Sequence, residues 1–459
     1  MSHLTLRDVE VNGEPEVDVR VENGTVVRIG PRLAGDDPDA VDGRGGALLP
    51  GLHDNHIHLM ALAAALDSVD CRATTDADTF ARLLRTAPRG GTLRVVGYDD
   101  SIAGPLDAAA LDRMLPDRPV RVQYRTGGVW VLNSAALRRH PEVPRDGILV
   151  RGDALLRDGS AGFPDLARVA RLLAAHGVTG VTDATPDLDG AAARHLAESH
   201  ANGTLPQRLL LLGAGDADCP ADLLGPRKMV IDEWNPPDLD AMAARIGQCH
   251  ARGRNVAIHC TTRTETVLAV AALDRAGARA GDRLEHGGVI PREYDAWLRA
   301  HEVAVVTQPN FVAERGEEYV HRVDRDDLAV LYRARSLDTA GITVAGGTDA
   351  PFGGVDPWAA MAAAQHRSTS HGRCLGASER LTGARALALF TVDPLRLGRG
   401  RTVEPGAPAD LCLLDRPLAD ALRQPGEVRV RATFVAGNRI PAQRLGGSRG
   451  PLPDRRAGR

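Results

Sequence analysis

Two histidines two residues apart, His56 and His58 in HDNHIHL, close an apolar run that follows a Pro-Gly turn. On an extended strand, residues i and i+2 point to the same face, so both imidazoles can reach one metal ion. Four more residues able to bind or bridge a metal stand at the ends of other apolar runs: Lys228 in RKMVIDE, His259 in NVAIHCT, His286 in RLEHGG and Asp349 in ITVAGGTDA. Four imidazoles, one carboxylate and one lysine suit two divalent ions of the zinc type. A protonated ammonium repels such ions, but an amine that has reacted with carbon dioxide becomes a carbamate, an anionic ligand able to bridge them. Composition singles this lysine out, because of the 56 Lys and Arg residues one is lysine, Lys228, and 55 are arginine. Where a positive charge suffices the chain carries arginine, so an isolated lysine points to a task that needs a primary amine.

For residues so far apart in sequence to meet, the chain must bring strand ends together. Eight apolar runs, GALLPGLHDNHIH, VTGVTDAT, QRLLLLGA, RKMVIDE, NVAIHCT, RLEHGG, VAVVTQPN and ITVAGGTDA, alternate with helix-period stretches such as 238 to 253. That alternation predicts βα units and a parallel sheet, and eight of them predict a (β/α)8 barrel, where the carboxyl ends of all strands share one face. The barrel is expected over residues 51–395, with an insertion at about 67–163 between its first two strands. An insertion there emerges on the site face and is a candidate lid or substrate wall. The first 50 residues and residues 396–445 show the short alternating runs and Gly or Asn-Gly turns of antiparallel strands. They are expected to pair into one small β-sandwich, and residues 446–459 to form a mobile tail.

Composition excludes several classes. Hydrophobic residues make 43% and charged residues 25% of the chain, the balance of a globular protein rather than a disordered or fibrous one. A net charge of -4 with mixed signs calls for neither nucleic acid nor an anionic membrane as partner. No run of about 18 apolar residues and no signal-like start is found, so a cytoplasmic protein is expected. The six cysteines lack any CxxC pair and are expected to be reduced, with Cys260 packing beside His259 rather than acting as a nucleophile.

These residues, with LNSAALRR, VTQPNF, AGGTDAPFGGVDPW and VEPGAPADLCLLD, resemble the amidohydrolase superfamily, and within it the amidohydrolase family 3 branch that includes N-substituted formamide deformylases. The resemblance implies His56, His58 and Asp349 on one ion, His259 and His286 on the other, and a carboxylated Lys228 between them. It implies hydrolysis of an amide-like C–N bond in a small molecule by metal-activated hydroxide, with Asp349 moving the proton to the leaving nitrogen. A homodimer is the default for such a family.

The chain departs from the family before Asn133-Ser134, where a histidine expected to reach the substrate carbonyl is replaced by Gly128 in YRTGGVWVLNS. Tyr124 and Arg125 are the nearest replacements, Arg125 suited to a substrate carboxylate or to an ordinary ion pair. Trp130, Trp234 and Phe311 are the candidates for a hydrophobic substrate wall in a chain with only 3% aromatics. Two rival functions remain: a mononuclear deaminase, which needs no carbamate, and a catalytically silent homologue that binds metal.

Overall fold

The computed structural model describes residues 3–35, 37–150, 152–156, 162–232 and 235–443. All eight apolar runs become strands. Leu52–Ile57, Val178–Asp183 and Arg208–Leu211 form a parallel sheet with Val178–Asp183 in the centre. Arg227–Met229, Val256–Cys260, Arg283–His286, Ala304–Thr307 and Val344–Gly346 form a second parallel sheet in chain order. Backbone bonds join the two at both edges: Lys228 N–H donates to Leu212 O at 2.9 Å, and Asp349 N–H donates to His56 O at 2.8 Å. Most residues of these strands are buried, which is why the runs read as continuous Val, Ile and Leu rather than as alternation.

Helices between the strands carry the expected start signals. Asp238 accepts from Ala241 N–H to cap Leu239–Ala251, and Thr262 with Glu265 forms a capping box on Arg263–Ala276. Their apolar faces join the strands in one large core that includes Leu52, Val181, Ile258, Leu273 and Trp358.

The two termini meet in a single seven-stranded sheet. Its order is Asn438–Arg439, Val430–Val435, Leu411–Leu414, Val41–Pro50, His3–Val11, Glu14–Glu22, Thr25–Gly30. One pairing departs from the antiparallel expectation, since His3–Val11 and Val41–Pro50 run parallel. Period-two alternation fixes which face a strand buries and says nothing of its direction. The sheet aims the first site strand: Val41–Pro50 continues into Leu52–Ile57, and Gly51 N–H donates to Asp410 O at 2.7 Å at the junction.

Between the first two site strands stands a five-stranded sheet of order Ile148–Val150, Val129–Leu132, Val120–Tyr124, Leu93–Tyr98, Val69–Asp70. It has its own core around Phe80, Tyr98, Leu111 and Val122. Arg125 anchors it to the rest of the chain, paired with Asp99 at 3.2 Å and with Glu318 on the helix Asn310–Arg322. The six cysteines are free thiols, as expected, and no helix among the described residues is long and apolar enough to cross a membrane.

Phe434 is fully buried in the terminal sheet among Val19, Leu48 and Leu411. Phe434→Ala should destabilise the protein by about 3–5 kcal/mol, read as a lowered denaturation midpoint, and an unchanged midpoint would mean that this sheet does not unfold with the rest.

Candidate functional site

The strand ends bring His56, His58, His286 and Asp349 into one buried cluster. The rings of His56 and His286 lie 4.6 Å apart, those of His56 and His58 5.5 Å apart, and His259 stands edge-on to His286 at 4.5 Å. Atoms of His56, His286 and Asp349 able to bind one ion all lie within 4.8 Å of one another.

The three imidazoles share one orientation. His56 donates from Nδ1 to the buried carboxylate of Glu285, His286 Nδ1 lies 2.8 Å from Gln308 Oε1, and His58 Nδ1 lies 3.2 Å from Thr185 Oγ1. Each ring thus has its Nδ1 fixed from behind, which leaves Nε2 for the cluster. At the centre, Asp349 Oδ1 is 3.0 Å from His58 Nε2 and 3.6 Å from His56 Nε2. Neither approach has the alignment of a hydrogen bond, so His56 Nε2 and Asp349 Oδ1 are buried without a partner. Lys228 Nζ, also buried, has none either.

Electrostatics keep the cluster ready for a cation. Burial drives the His56 imidazole well below its usual range and lowers His286 to about 3, helped by the Lys228 charge, so both rings are neutral donors of a lone pair. Burial alone would raise the Asp349 carboxyl, but the His58 contact outweighs it and lowers the group, which holds it ionised. Burial likewise lowers Lys228, against the opposing pull of Glu285 and Asp349. The Cys260 thiol beside His259 is driven upward by burial, which makes it inert packing as expected.

A layer behind the cluster holds these groups in place. Glu285 also pairs with the buried Arg283 at 2.5 Å. Asp54, its carboxyl pushed up to about 7 by burial, accepts from Thr348 N–H at 2.9 Å and thereby ties the Asp349 loop to the His56 strand. Asp183 accepts from Leu59 N–H at 2.8 Å and from Thr185 N–H at 3.0 Å, which fixes the chain just after His58. Gly347 is required here, because a Cβ at that position would lie 2.7 Å from His56 N. His286 and Asp349 both have left-handed backbones, with φ of 68° and 57°, a conformation rare outside glycine that is tolerated where the surroundings enforce it.

The residues expected to touch substrate fare less uniformly. Tyr124 donates to Asp100 at 2.7 Å inside the inserted sheet, and Arg125 is taken up by Asp99 and Glu318, the ion-pair alternative. Trp130 is buried in the inserted sheet between the guanidinium groups of Arg94 and Arg121, packed with Leu132 and Leu149 rather than lining the site. Proximity to Gly128 in sequence suggested Tyr124 and Arg125, and scarcity of aromatics suggested Trp130; their contacts lie within the inserted sheet and, for Arg125, on the helix Asn310–Arg322. Phe311 is buried beneath Arg315 and against Tyr332, with its ring edge beside Gly353 of the loop that follows Asp349. Trp234 and the tail 446–459 lie outside the described residues. Phe352, which the sequence did not single out, packs edge-on to His58 at 5.2 Å, and a Cβ at Gly127 would strike its ring at 2.3 Å. The inserted sheet's loop therefore rests on the residue that walls the histidine cluster.

Removing Glu285 should test the supporting layer. Glu285→Ala frees His56 Nδ1 and leaves Arg283 buried without its carboxylate, so affinity for a divalent ion should fall about 10- to 100-fold, read by competition with a chelating dye. Unchanged affinity would show that His56 needs no such support.

The model of the amidohydrolase family matches residues 39–441. The N-substituted formamide deformylase of Arthrobacter pascens is 26% identical, the alignment covering 95% of this chain and 96% of that protein. Among solved structures, an uncharacterized metal-dependent hydrolase from Pyrococcus horikoshii OT3 superposes with a TM-score of 0.73 at 18% identity, covering 93% of this chain and 99% of that one. N-isopropylammelide isopropylaminohydrolase from Burkholderia multivorans superposes with a TM-score of 0.56 at 19% identity, covering 96% of this chain and 100% of that one. With a match over so much of its length and this cluster at its strand ends, the chain belongs to the amidohydrolase family and is a hydrolytic enzyme.

Proposed function

We propose that the chain hydrolyses an amide-like C–N bond of a small molecule at a two-metal centre on the carboxyl face of a (β/α)8 barrel. In this reading residues 51–395 form the barrel, 67–163 its insertion, and 1–50 with 396–445 the terminal β domain. The observation that carries it is the grouping of His56, His286 and Asp349, whose ligand atoms lie within 4.8 Å of one another, with His56 Nε2 and Asp349 Oδ1 making no hydrogen bond and the buried, unbonded Lys228 near enough for its charge to act on both histidines. Leaving a polar atom buried and unsatisfied costs about 1–3 kcal/mol, so such a group of atoms is stable only if a ligand completes it. Neutral imidazoles and an ionised carboxylate fit a borderline divalent cation such as zinc. An unmodified ammonium among them does not fit, whereas a Lys228 carbamate would.

His56, His58 and Asp349 would hold one ion, His259 and His286 the other, with carboxylated Lys228 between. Ions bound there would lower the pKa of a water and polarise the scissile carbonyl. Asp349, held ionised at the centre of the cluster, is placed to take a proton from the attacking water and deliver it to the leaving nitrogen. The fixed Nδ1 contacts of His56, His58 and His286 keep the donor atoms aimed without reorganisation. Phe352 and the inserted sheet's loop shield one side of the cluster from water.

Protein purified without chelator should carry about two divalent ions per chain; one would support a mononuclear deaminase instead, and a panel of amides and lactams scored for released amine identifies the bond cleaved. Lys228→Arg keeps the charge but cannot form a carbamate, so it should lose metal and lower kcat/KM by about 10³-fold or more. Full metal content and activity in that variant would sink the bridging role.

A further inference from the structure

The helix Asn310–Arg322 follows the Ala304–Thr307 strand and lies along the site. Its residue Arg315 sits over the face of Phe311, 4.0 Å from the ring centroid. One nitrogen, Nη2, donates to Phe352 O at 2.6 Å and to Arg125 O at 3.3 Å. Phe352 is the residue packed on His58, and its N–H donates to Asp349 O, so this guanidinium stands directly behind the candidate metal ligands. Tyr319, one turn further along the helix, and Tyr332 place their hydroxyls 3.4 Å apart on the same wall. Tyr332 in turn donates from its N–H to Gly288 O, in the loop that follows His286. The wall therefore touches both the Asp349 loop and the His286 loop.

What this guanidinium lacks is a carboxylate. Neighbouring acids are engaged elsewhere: Glu318 with Arg125 and Arg322, Asp99 with Arg125, Glu314 with Gly354 N–H at 3.0 Å and Asn310, and Asp349, whose field reaches Arg315, with the histidine cluster. Among the described residues Arg315 donates to two backbone carbonyls, contacts the Tyr319 side chain and makes no ion pair. Solvent reaches it, although protein encloses it on most sides; burial works against its charge, and the fields of Tyr319, Tyr332, Asp349 and Glu314 more than offset that. With no carboxylate in ion-pair contact, the guanidinium can take one from a ligand.

We infer that Arg315, with the hydroxyls of Tyr319 and Tyr332, forms a subsite for an anionic group of the substrate, so that the enzyme acts on amides carrying a carboxylate. This rests on the C–N hydrolase reading and adds to it the class of substrate. Arg315 supplies a planar charge-assisted donor and the tyrosines supply neutral donors, a combination suited to a carboxylate. Phe311 and Phe352 beside it favour an aromatic or apolar portion between the carboxylate and the scissile bond. It is the role that sequence position had suggested for Arg125, taken by a residue nearly two hundred positions away.

The test uses matched pairs that differ only in the charge: 4-formamidobenzoate against formanilide, and N-formyl-β-alanine against N-formylpropylamine, with the metal-loaded full chain. The carboxylate member of a pair should be preferred in kcat/KM by about 10- to 100-fold, mostly through KM. Arg315→Met should bring that ratio close to one, Arg315→Lys should keep part of it, and Tyr319→Phe should lower it several-fold. A wild-type ratio near one, or a parallel loss on both members in Arg315→Met, overturns the subsite while leaving the hydrolase reading intact. A purely structural arginine would produce that parallel loss. If no formamide or other amide is cleaved, the C–N reading falls, and calorimetric titration with benzoate decides the anion subsite separately: weaker binding to Arg315→Met than to wild type supports it, and equal binding overturns it.

Discussion

The arrangement turns on a set of buried polar groups at the strand ends whose donor and acceptor atoms are left unused. His56 Nε2, Asp349 Oδ1 and Lys228 Nζ are all buried and make no hydrogen bond. Such a cluster stays assembled only if the groups behind it are bonded more firmly than the cluster is strained. Glu285, Asp54, Asp183 and Gln308 provide those bonds, each contacting a strand end or the ring it carries. The left-handed backbones of His286 and Asp349 belong to the same account. They are unfavourable locally and are held by neighbours that leave the chain no alternative.

Those two backbone angles also explain what the sequence showed and what it hid. His56, His58, Lys228, His259, His286 and Asp349 were legible because each ends an apolar run, and strand ends that converge need no knowledge of loops. Glu285 was not. Alternation along a strand sends neighbours to opposite faces, so a residue adjacent to His286 should point away from it. The turn to positive φ at His286 breaks the alternation, and both side chains reach the same cluster. Arg315 was hidden differently, since NFVAERGEEYVHR reads as the solvated face of a charged helix and only the packing of Phe352 and Tyr332 turns part of it into a wall. Tyr124 and Arg125, picked by nearness to Gly128, and Trp130, picked as a scarce aromatic, have partners from the inserted sheet and a distant helix that their sequence positions did not show.

Among the described residues the inserted sheet meets the rest of the chain near the site at the ion pair from Arg125 to Glu318, the hydrogen bond from Arg315 to Arg125 O and the contact of Gly127 on Phe352. None is large. An exposed or half-exposed ion pair is worth about 1 kcal/mol or less, and one ring contact adds little more. A sheet with its own core, joined this weakly, can shift as a unit without disturbing that core. The cluster below it is fixed by many short bonds. Rigid chemistry beneath a loosely held cover is the combination a hydrolase needs to admit a substrate and then exclude bulk water.

The helix Asn310–Arg322 connects these levels. Asn310 donates to Thr348 O at 3.0 Å, Glu314 accepts from Gly354 N–H, and Arg315 donates to Phe352 O, so three side chains on one helix hold successive points of the loop that carries Asp349. Asn310 and Glu314, four residues apart, share one face of the helix, and Arg315 extends the grip onto the adjacent flank. The loop they grip is the one whose backbone is strained at Asp349, which gives the strain its support. Because Arg315 also bonds the carbonyl of Arg125, the same helix contacts the inserted sheet. A ligand that engages the rest of this guanidinium would therefore act on a group already bonded to the inserted sheet and to the Asp349 loop.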